Sequence, residues 1–101
     1  MRVEFADFAR SDLLDIALRI AERSPVAAHR YVDRIEARAI RIGELPHAGS
    51  PRPQWGEGMR VVIFEKYLII HRVRNDAVQI LRILHGARDI DALLAEEPLP
   101  E

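Results

Sequence analysis

The fold of this chain is decided by residues 59–85, which read MRVVIFEKYLIIHRVRNDAVQILRILH. The stretch contains three runs rich in Val, Ile and Leu, at residues 59–64, 67–73 and 77–85. Apolar runs of this length with short polar breaks between them predict three strands that pair in an antiparallel meander. Asn75-Asp76 in the second break suits a tight turn, whereas Glu65-Lys66 in the first break is weaker turn chemistry.

The residues before the meander predict a strand followed by two helices. Val3 and Phe5 alternate with polar residues, which predicts a short opening strand. Ser11-Asp12 predicts a helix start, and apolar residues at helical spacing continue to about Arg23. Ser24-Pro25 predicts a second start, because serine accepts hydrogen bonds from free backbone amides and proline needs no N–H at the first helical position.

Glycine and proline mark the remaining boundaries. Gly43 is placed to end the second helix. Residues 46–58 contain three prolines and three glycines, which predicts a long loop. Trp55 within it is either an anchor that packs the loop down or an exposed partner contact, and we favour the anchor. After the meander, Asp89 predicts the N-cap of a short helix that Pro98 ends.

Together these elements predict a single domain of the α+β class over residues 1–101. A two-helix hairpin is expected to pack on one face of a small, mostly antiparallel sheet. The sheet combines the N-terminal strand with the three-strand meander, and a short C-terminal helix follows. An acidic tail occupies residues 95–101.

The composition excludes several classes of protein. The chain has 101 residues, 49% of them hydrophobic, which is enough apolar surface for a folded core. It has no cysteine, which excludes a disulfide scaffold, a thiolate metal site and a cysteine nucleophile. Its apolar runs are too short to span a membrane, and the first residues lack the apolar segment of a secretory signal. We therefore expect a soluble cytoplasmic domain without a cofactor.

The net charge of -1 hides an asymmetry along the chain. Residues 1–88 carry a net charge of +4, and residues 89–101 carry -5. All of the basic residues are arginine except Lys66. Arginine suits bidentate pairing with carboxylates and phosphates, so the basic body favours an acidic partner.

The predicted second helix carries four arginines at spacings of four, four and three, which place them along one side of the helix: Arg30, Arg34, Arg38 and Arg41. We call these four residues the arginine stripe. It either binds an acidic partner or phosphates, or is a solvated face partly neutralised by Asp33 and Glu36.

A second group of polar residues interrupts the apolar strands: Arg60, Arg72, Arg82 and His85. On one sheet face they could hold a phosphodiester, with His85 donating or accepting a proton near neutral pH. Alternatively the arginines pair with carboxylates of the tail and loops, and His85 forms a hydrogen bond at the strand end. The four histidines show no metal-ligand spacing, and we predict no metal site.

The end of the meander resembles a known family. Residues 67–73, YLIIHRV, and residues 80–90, ILRILHGARDI, are similar to the ParE branch of the ParE/RelE superfamily of toxins from bacterial toxin–antitoxin modules. The residues that carry the branch motif are His85, Gly86, Arg88 and Asp89. The segment Ser-Asp-Leu-Leu-Asp-Ile at residues 11–16 and the helix start at Pro25 also agree, and the resemblance extends over residues 2–94.

The resemblance implies a cytoplasmic type II toxin that a cognate ParD-like antitoxin neutralises in a hetero-oligomer. The antitoxin then makes all contacts with DNA, and we expect the toxin to meet it through the arginine stripe and exposed residues of the sheet. Toxins that resemble ParE inhibit DNA gyrase by binding, without a catalytic site.

One alternative that the resemblance leaves open is a degenerate member that binds antitoxin but is no longer toxic, and the other is a RelE-like, ribosome-dependent mRNA endonuclease. Its candidate catalytic residues are Arg60, Arg72, Arg82 and His85. The RelE branch uses lysines and arginines on the sheet face and usually a Tyr or His near the C-terminus, whereas the only lysine here, Lys66, falls in a predicted turn. An acidic tail would also repel ribosomal RNA. Both departures favour the ParE branch.

Overall fold

A five-stranded mixed sheet forms the centre of the structure, a computed structural model that describes residues 1–101. Its strands, in chain order, are β1 (Arg2–Phe5), β2 (Ser50–Pro51), β3 (Arg60–Phe64), β4 (Tyr67–Arg74) and β5 (Ala77–His85). They are arranged in the order β1-β5-β4-β3-β2, with β1 parallel to β5 and the other pairs antiparallel. The predicted opening strand and meander are confirmed, and β2 is a short strand inside the predicted loop.

Three helices accompany the sheet: α1 (Asp7–Ala21), α2 (Pro25–Arg41) and α3 (Ile90–Glu96). The predicted starts of α2 and α3 are confirmed, because Ser24 Oγ accepts from the Ala27 amide and the Asp89 carboxylate accepts from the Ala92 amide, both at 3.1 Å.

The predicted start of α1 at Ser11-Asp12 is wrong. The Ala6 carbonyl already accepts from the Arg10 amide at 3.0 Å, so the helix is formed one turn earlier without a side-chain cap. Asp12 therefore lies inside the helix and is buried.

The predicted end of α2 at Gly43 also needs correction. The helix ends at Arg41, and a 3-10 turn at Ile42–Glu44 contains Gly43. A Cβ at this glycine would lie 2.4 Å from the Met1 carbonyl oxygen. Gly43 thus allows the N-terminal strand to approach the helix end closely, rather than supplying a left-handed cap.

The two faces of the sheet carry separate apolar cores. The hairpin of α1 and α2 covers one face, where its buried side chains pack against Ile69, Val78 and Ile80. The opposite face carries a smaller core in which α3 packs against Ile70 and Leu84. The predicted packing of the hairpin on one face is confirmed, and α3 covers the other.

A bulge in β5 sets which residues meet the hairpin. Ile80 is opposite His71 and Arg82 is opposite Ile70, so Leu81 has no partner in β4. Because of this extra residue, Ile80 and Ile83 both belong to the hairpin core although they are three residues apart. β1 pairs with β5 only as far as Ile80, so that β5 becomes an edge of the sheet beyond the bulge.

Asp12 of α1 covers this edge of β5. Its carboxylate accepts from the Ile83 backbone amide at 2.8 Å and from Nε and Nη2 of Arg82 at 2.8 and 2.9 Å. Both side chains are buried, and the hydrogen bond that Arg82 donates to Asp12 raises the pKa of Arg82 against the opposing effect of burial. Arg82 Nη1 also lies 3.7 Å from a carboxylate oxygen of Glu97, directly after α3. One guanidinium thus connects β5 to elements on both faces of the sheet.

Replacing Asp12 by Ala is expected to lower the free energy of unfolding by about 3–5 kcal/mol, because the buried Arg82 guanidinium and the Ile83 amide lose their acceptor. Denaturant unfolding measures the change. The matched control is Asp15→Ala, an exposed carboxylate of the same helix without an ion pair, for which we expect less than about 0.5 kcal/mol. Equal effects of the two substitutions would contradict the assignment of Asp12 as a core element.

Candidate functional site

The four polar residues of the meander lie on two different faces of the sheet. Arg60 is opposite His71 and His85 is opposite Tyr67, on the face that the helical hairpin covers. Arg72 is opposite Gln79 and Arg82 is opposite Ile70, on the face that α3 covers. No hydrogen bond joins any two of the four side chains. The structure therefore does not bring them together on one surface.

The two arginines of the α3 face form hydrogen bonds with other groups of the protein. Arg82 is paired with Asp12 as described above. Arg72 is also buried, and it donates from Nε to the Gln79 side chain at 2.9 Å and from Nη1 to the Pro100 carbonyl at 3.0 Å. Burial, and secondarily the charge of Arg74, lowers the pKa of Arg72. Neither guanidinium is presented to solvent.

Arg60 and His71 share an acceptor at the other end of the sheet. Arg60 donates from Nε to the Ala48 carbonyl at 3.3 Å and from Nη2 to the Gly49 carbonyl at 3.0 Å. His71 is completely buried and donates from Nε2 to the same Ala48 carbonyl at 3.2 Å. Burial lowers the pKa of His71, and the positive charges of Arg60, Arg38 and His47 lower it further, against the bond to Ala48. His71 therefore stays neutral.

His85 lies at the opposite end of β5 in an aromatic environment. Its Nδ1 accepts from the Ala87 amide at 3.0 Å, which leaves the proton on Nε2. The ring contacts Tyr67 edge-on, with ring centroids 5.3 Å apart. His85 and Tyr67 line a cavity of about 390 Å3 together with the basic residues Arg19 and Lys66 and the acidic residue Glu65. The half-buried His85 thus has one free donor in a groove of mixed charge.

The other residues of the family motif end β5 and begin α3. The Gly86 amide donates to the Lys66 carbonyl at 2.8 Å, which joins the strand end to the β3–β4 turn. The Arg88 amide donates to the His85 carbonyl, and Asp89 caps α3. The side chain of Arg88 is exposed and forms no ion pair. The contacts of Gly86 and Asp89 are therefore structural.

The arginine stripe of α2 reaches the turn between β3 and β4 at Arg34. Arg34 pairs with Glu65 in the β3–β4 turn, and its guanidinium lies over the rings of Tyr31 and Phe64 at 5.7 and 5.3 Å. Burial, then the charge of Glu65, raises the pKa of Tyr31. The stripe members other than Arg34 form no ion pair.

The acidic residues of α2 do not neutralise the stripe. The Asp33 carboxylate lies 3.4 Å from His29, and Glu36 has no ion-pair partner. Most of the stripe's positive charge is consequently exposed and unpaired.

The structure contains neither a cluster of metal-binding side chains nor a helix that could span a membrane. No three His, Asp or Glu side chains are close enough together to hold a metal ion. None of the helices combines the length and the apolar character that crossing a membrane requires.

Comparison with known proteins identifies the family. Residues 3–90 match the family described as the ParE toxin of the type II toxin–antitoxin system parDE. The chain belongs to the ParE toxin family. A solved chain of the chromosomal ParDE TA system from P. aeruginosa has a similar structure, with a TM-score of 0.73 and 25% sequence identity over 84% of this chain and 95% of that one. No protein of curated function matches in sequence. The resemblance to the ParE branch is confirmed.

Sequence reasoning missed two features of this ParE-family chain. The first is the buried pair of Asp12 and Arg82, for which the only signal is an acidic residue between Ala9 and Ile16 on the apolar side of a helix. The second is the burial of His71, for which the only signal is its place within an apolar strand.

The lowered pKa of His71 predicts a loss of stability in mild acid. A histidine in the unfolded chain has a pKa of about 6.5. Below that pH, His71 is protonated in the unfolded state but stays unprotonated in the folded state, because its folded-state pKa is lower. The free energy of unfolding therefore falls as the pH falls. Urea unfolding at pH 7.5 and at pH 5.5 should show a decrease about 1 kcal/mol larger for the wild type than for His71→Gln. His29→Gln, at an exposed histidine of α2, should retain the full decrease. Identical pH dependence in wild type and His71→Gln would exclude His71 as the source.

Proposed function

We propose that this ParE-family toxin is bound and neutralised by a ParD-like antitoxin in a hetero-oligomer, and that the free toxin inhibits DNA gyrase by binding. We favour a toxin that acts by binding over a nuclease because of where the arginines of the sheet lie. Cleavage of RNA needs several cationic groups converging on one phosphate. Here Arg72 and Arg82 are buried with protein partners on the face opposite Arg60 and His85.

The antitoxin surface that we propose combines the arginine stripe with the open edge of β3. β2 pairs only with Arg60 and Val61, so the rest of β3 is an open sheet edge. Ile63 on that edge is 66% exposed. An extended acidic segment can add to such an edge through backbone hydrogen bonds while its carboxylates reach the stripe. The charge, the open edge and the exposed apolar side chain all favour an acidic, amphipathic partner segment.

A second candidate function, a RelE-like mRNA endonuclease, rests on one observation. His85 keeps a free Nε2 donor next to Tyr67, in a groove that also contains Arg19, Lys66 and Glu65. A histidine beside cationic side chains can transfer a proton to or from a phosphate ester. The activity assay below separates this candidate from gyrase inhibition.

Inducing the chain without antitoxin should stop DNA synthesis before protein synthesis. The measurement follows labelled thymidine and labelled methionine incorporation over the first minutes, with coexpression of the ParD-like antitoxin as the control that restores both. If methionine incorporation falls first, gyrase inhibition is contradicted and the endonuclease is supported. In that event His85→Gln should abolish RNA cleavage and leave antitoxin binding intact.

Reversing charge in the stripe should weaken the complex with the antitoxin. We expect the double substitution Arg34→Glu and Arg38→Glu to lower the affinity about tenfold or more, mainly through slower and salt-dependent association. The double substitution Arg10→Glu and Arg23→Glu, at two exposed arginines outside the stripe, is the control matched in charge. Association rates at two salt concentrations provide the measurement. Equal affinities for the double variant and the control would show that the stripe is only a solvated face.

A further inference from the structure

A cavity of about 260 Å3 lies where the loop of residues 46–58 meets the sheet. Its charged lining consists of Arg60 and His47, and no carboxylate lines it. Val73 of β4 and two prolines of the loop, Pro51 and Pro53, also line the cavity. The cavity is thus a recess whose ionisable side chains are all basic.

Arg60 presents a free hydrogen-bonding fork in this recess. A guanidinium has five N–H donors, arranged as a side fork of Nε and Nη2 and an end fork of Nη1 and Nη2. The consecutive carbonyls of Ala48 and Gly49 occupy the side fork and fix the plane of the group. The end fork has no protein partner, and no carboxylate lies within ion-pair distance of Arg60.

The loop backbone is shaped to hold Arg60 in this orientation. Gly49 has a φ of 79°, and a Cβ there would lie 2.0 Å from the Val61 carbonyl oxygen. Only glycine can therefore bring this carbonyl against both β3 and the Arg60 side chain. The Ala48 carbonyl is fixed from the other side by the buried His71. The guanidinium is held by backbone rather than by a mobile side chain.

The surroundings of the recess are also basic. Arg38, His47 and Arg60 all act on His71 with the same sign, and none of the three has a carboxylate partner. A positive site without a counter-charge attracts anions. The end fork of an arginine matches two oxygens of a phosphate or a carboxylate in a bidentate arrangement.

We infer that this recess binds a small oxyanion, a phosphate or carboxylate group, through the end fork of Arg60 and the side chain of His47. Pro51 in β2 and Pro53 after it cannot donate backbone hydrogen bonds, so an added strand is disfavoured at this corner of the sheet. The ligand is therefore a single anionic group that enters end-on. The inference goes beyond the proposed function and holds whether the target is gyrase or the ribosome.

The test is an NMR titration of the full chain with inorganic phosphate and, separately, with acetate, at constant ionic strength set by chloride. The Arg60 Nε–H and His47 ring signals report on the site. We expect saturable shifts with one anion per chain in the wild type, and at least about tenfold weaker binding in Arg60→Gln. Arg23→Gln, an exposed arginine elsewhere, should bind as the wild type does.

Two further variants keep the test decisive if Arg60→Gln disturbs the loop. His47→Gln removes the imidazole of an exposed residue without a hydrogen bond, and Val73→Glu adds a carboxylate that competes for the fork. Both should weaken anion binding several-fold. Preference for phosphate would identify a phosphoryl ligand, and preference for acetate an acidic side chain of a partner; either result supports the site. Shifts that do not saturate, or that are equal in all variants, would overturn it.

Discussion

The structure depends on the hydrogen bonds between Asp12 and β5. β1 stops pairing at Ile80, so the next backbone amide that points out of the β5 edge, that of Ile83, needs an acceptor. Asp12 supplies it from the middle of α1, and Arg82 compensates the charge that this burial requires. The same interaction fixes the register of α1 against the sheet. Because Arg82 also approaches Glu97, it joins the two faces of a small domain through a single side chain.

This constraint decides which positive charges are available to a partner. Arg82 and Arg72 lie in the strands at the centre of the sheet, yet the fold uses both for its own hydrogen bonds. Unpaired positive charges remain on α2 and at Arg60 beside its loop, and also on α1 and at Arg88. A surface with dispersed cations, an open strand edge and exposed apolar side chains is suited to binding a chain, whereas it does not converge on one reacting phosphate.

The sequence allowed most of the fold to be predicted and little of the site. The switch from helical to strand spacing, the Ser24 cap and the turn at Asn75-Asp76 are local signals, and Asn75 and Asp76 indeed adopt positive φ. The start of α1 was mispredicted because Asp is a common helix N-cap, whereas Asp12 accepts hydrogen bonds from Arg82, 70 residues away in the sequence. The bulge at Leu81 has no local signal. Strand alternation therefore could not show that Ile80 and Ile83, three residues apart, face the same core, although it does place Arg82 and His85 on opposite faces.

The same geometry determines how substitutions in this chain should be interpreted. A loss of toxicity on replacing Arg82 would follow from an uncompensated buried Asp12 in any mechanism, so it carries no information about catalysis. Arg60 and His85 are different, since each has free donors at the margin of the hairpin face and neither is paired with a carboxylate. They lie at opposite ends of that face, because Arg60 pairs with His71 and His85 with Tyr67. A single phosphate cannot use both, and so a requirement for only one of them would indicate which end of the sheet meets the target.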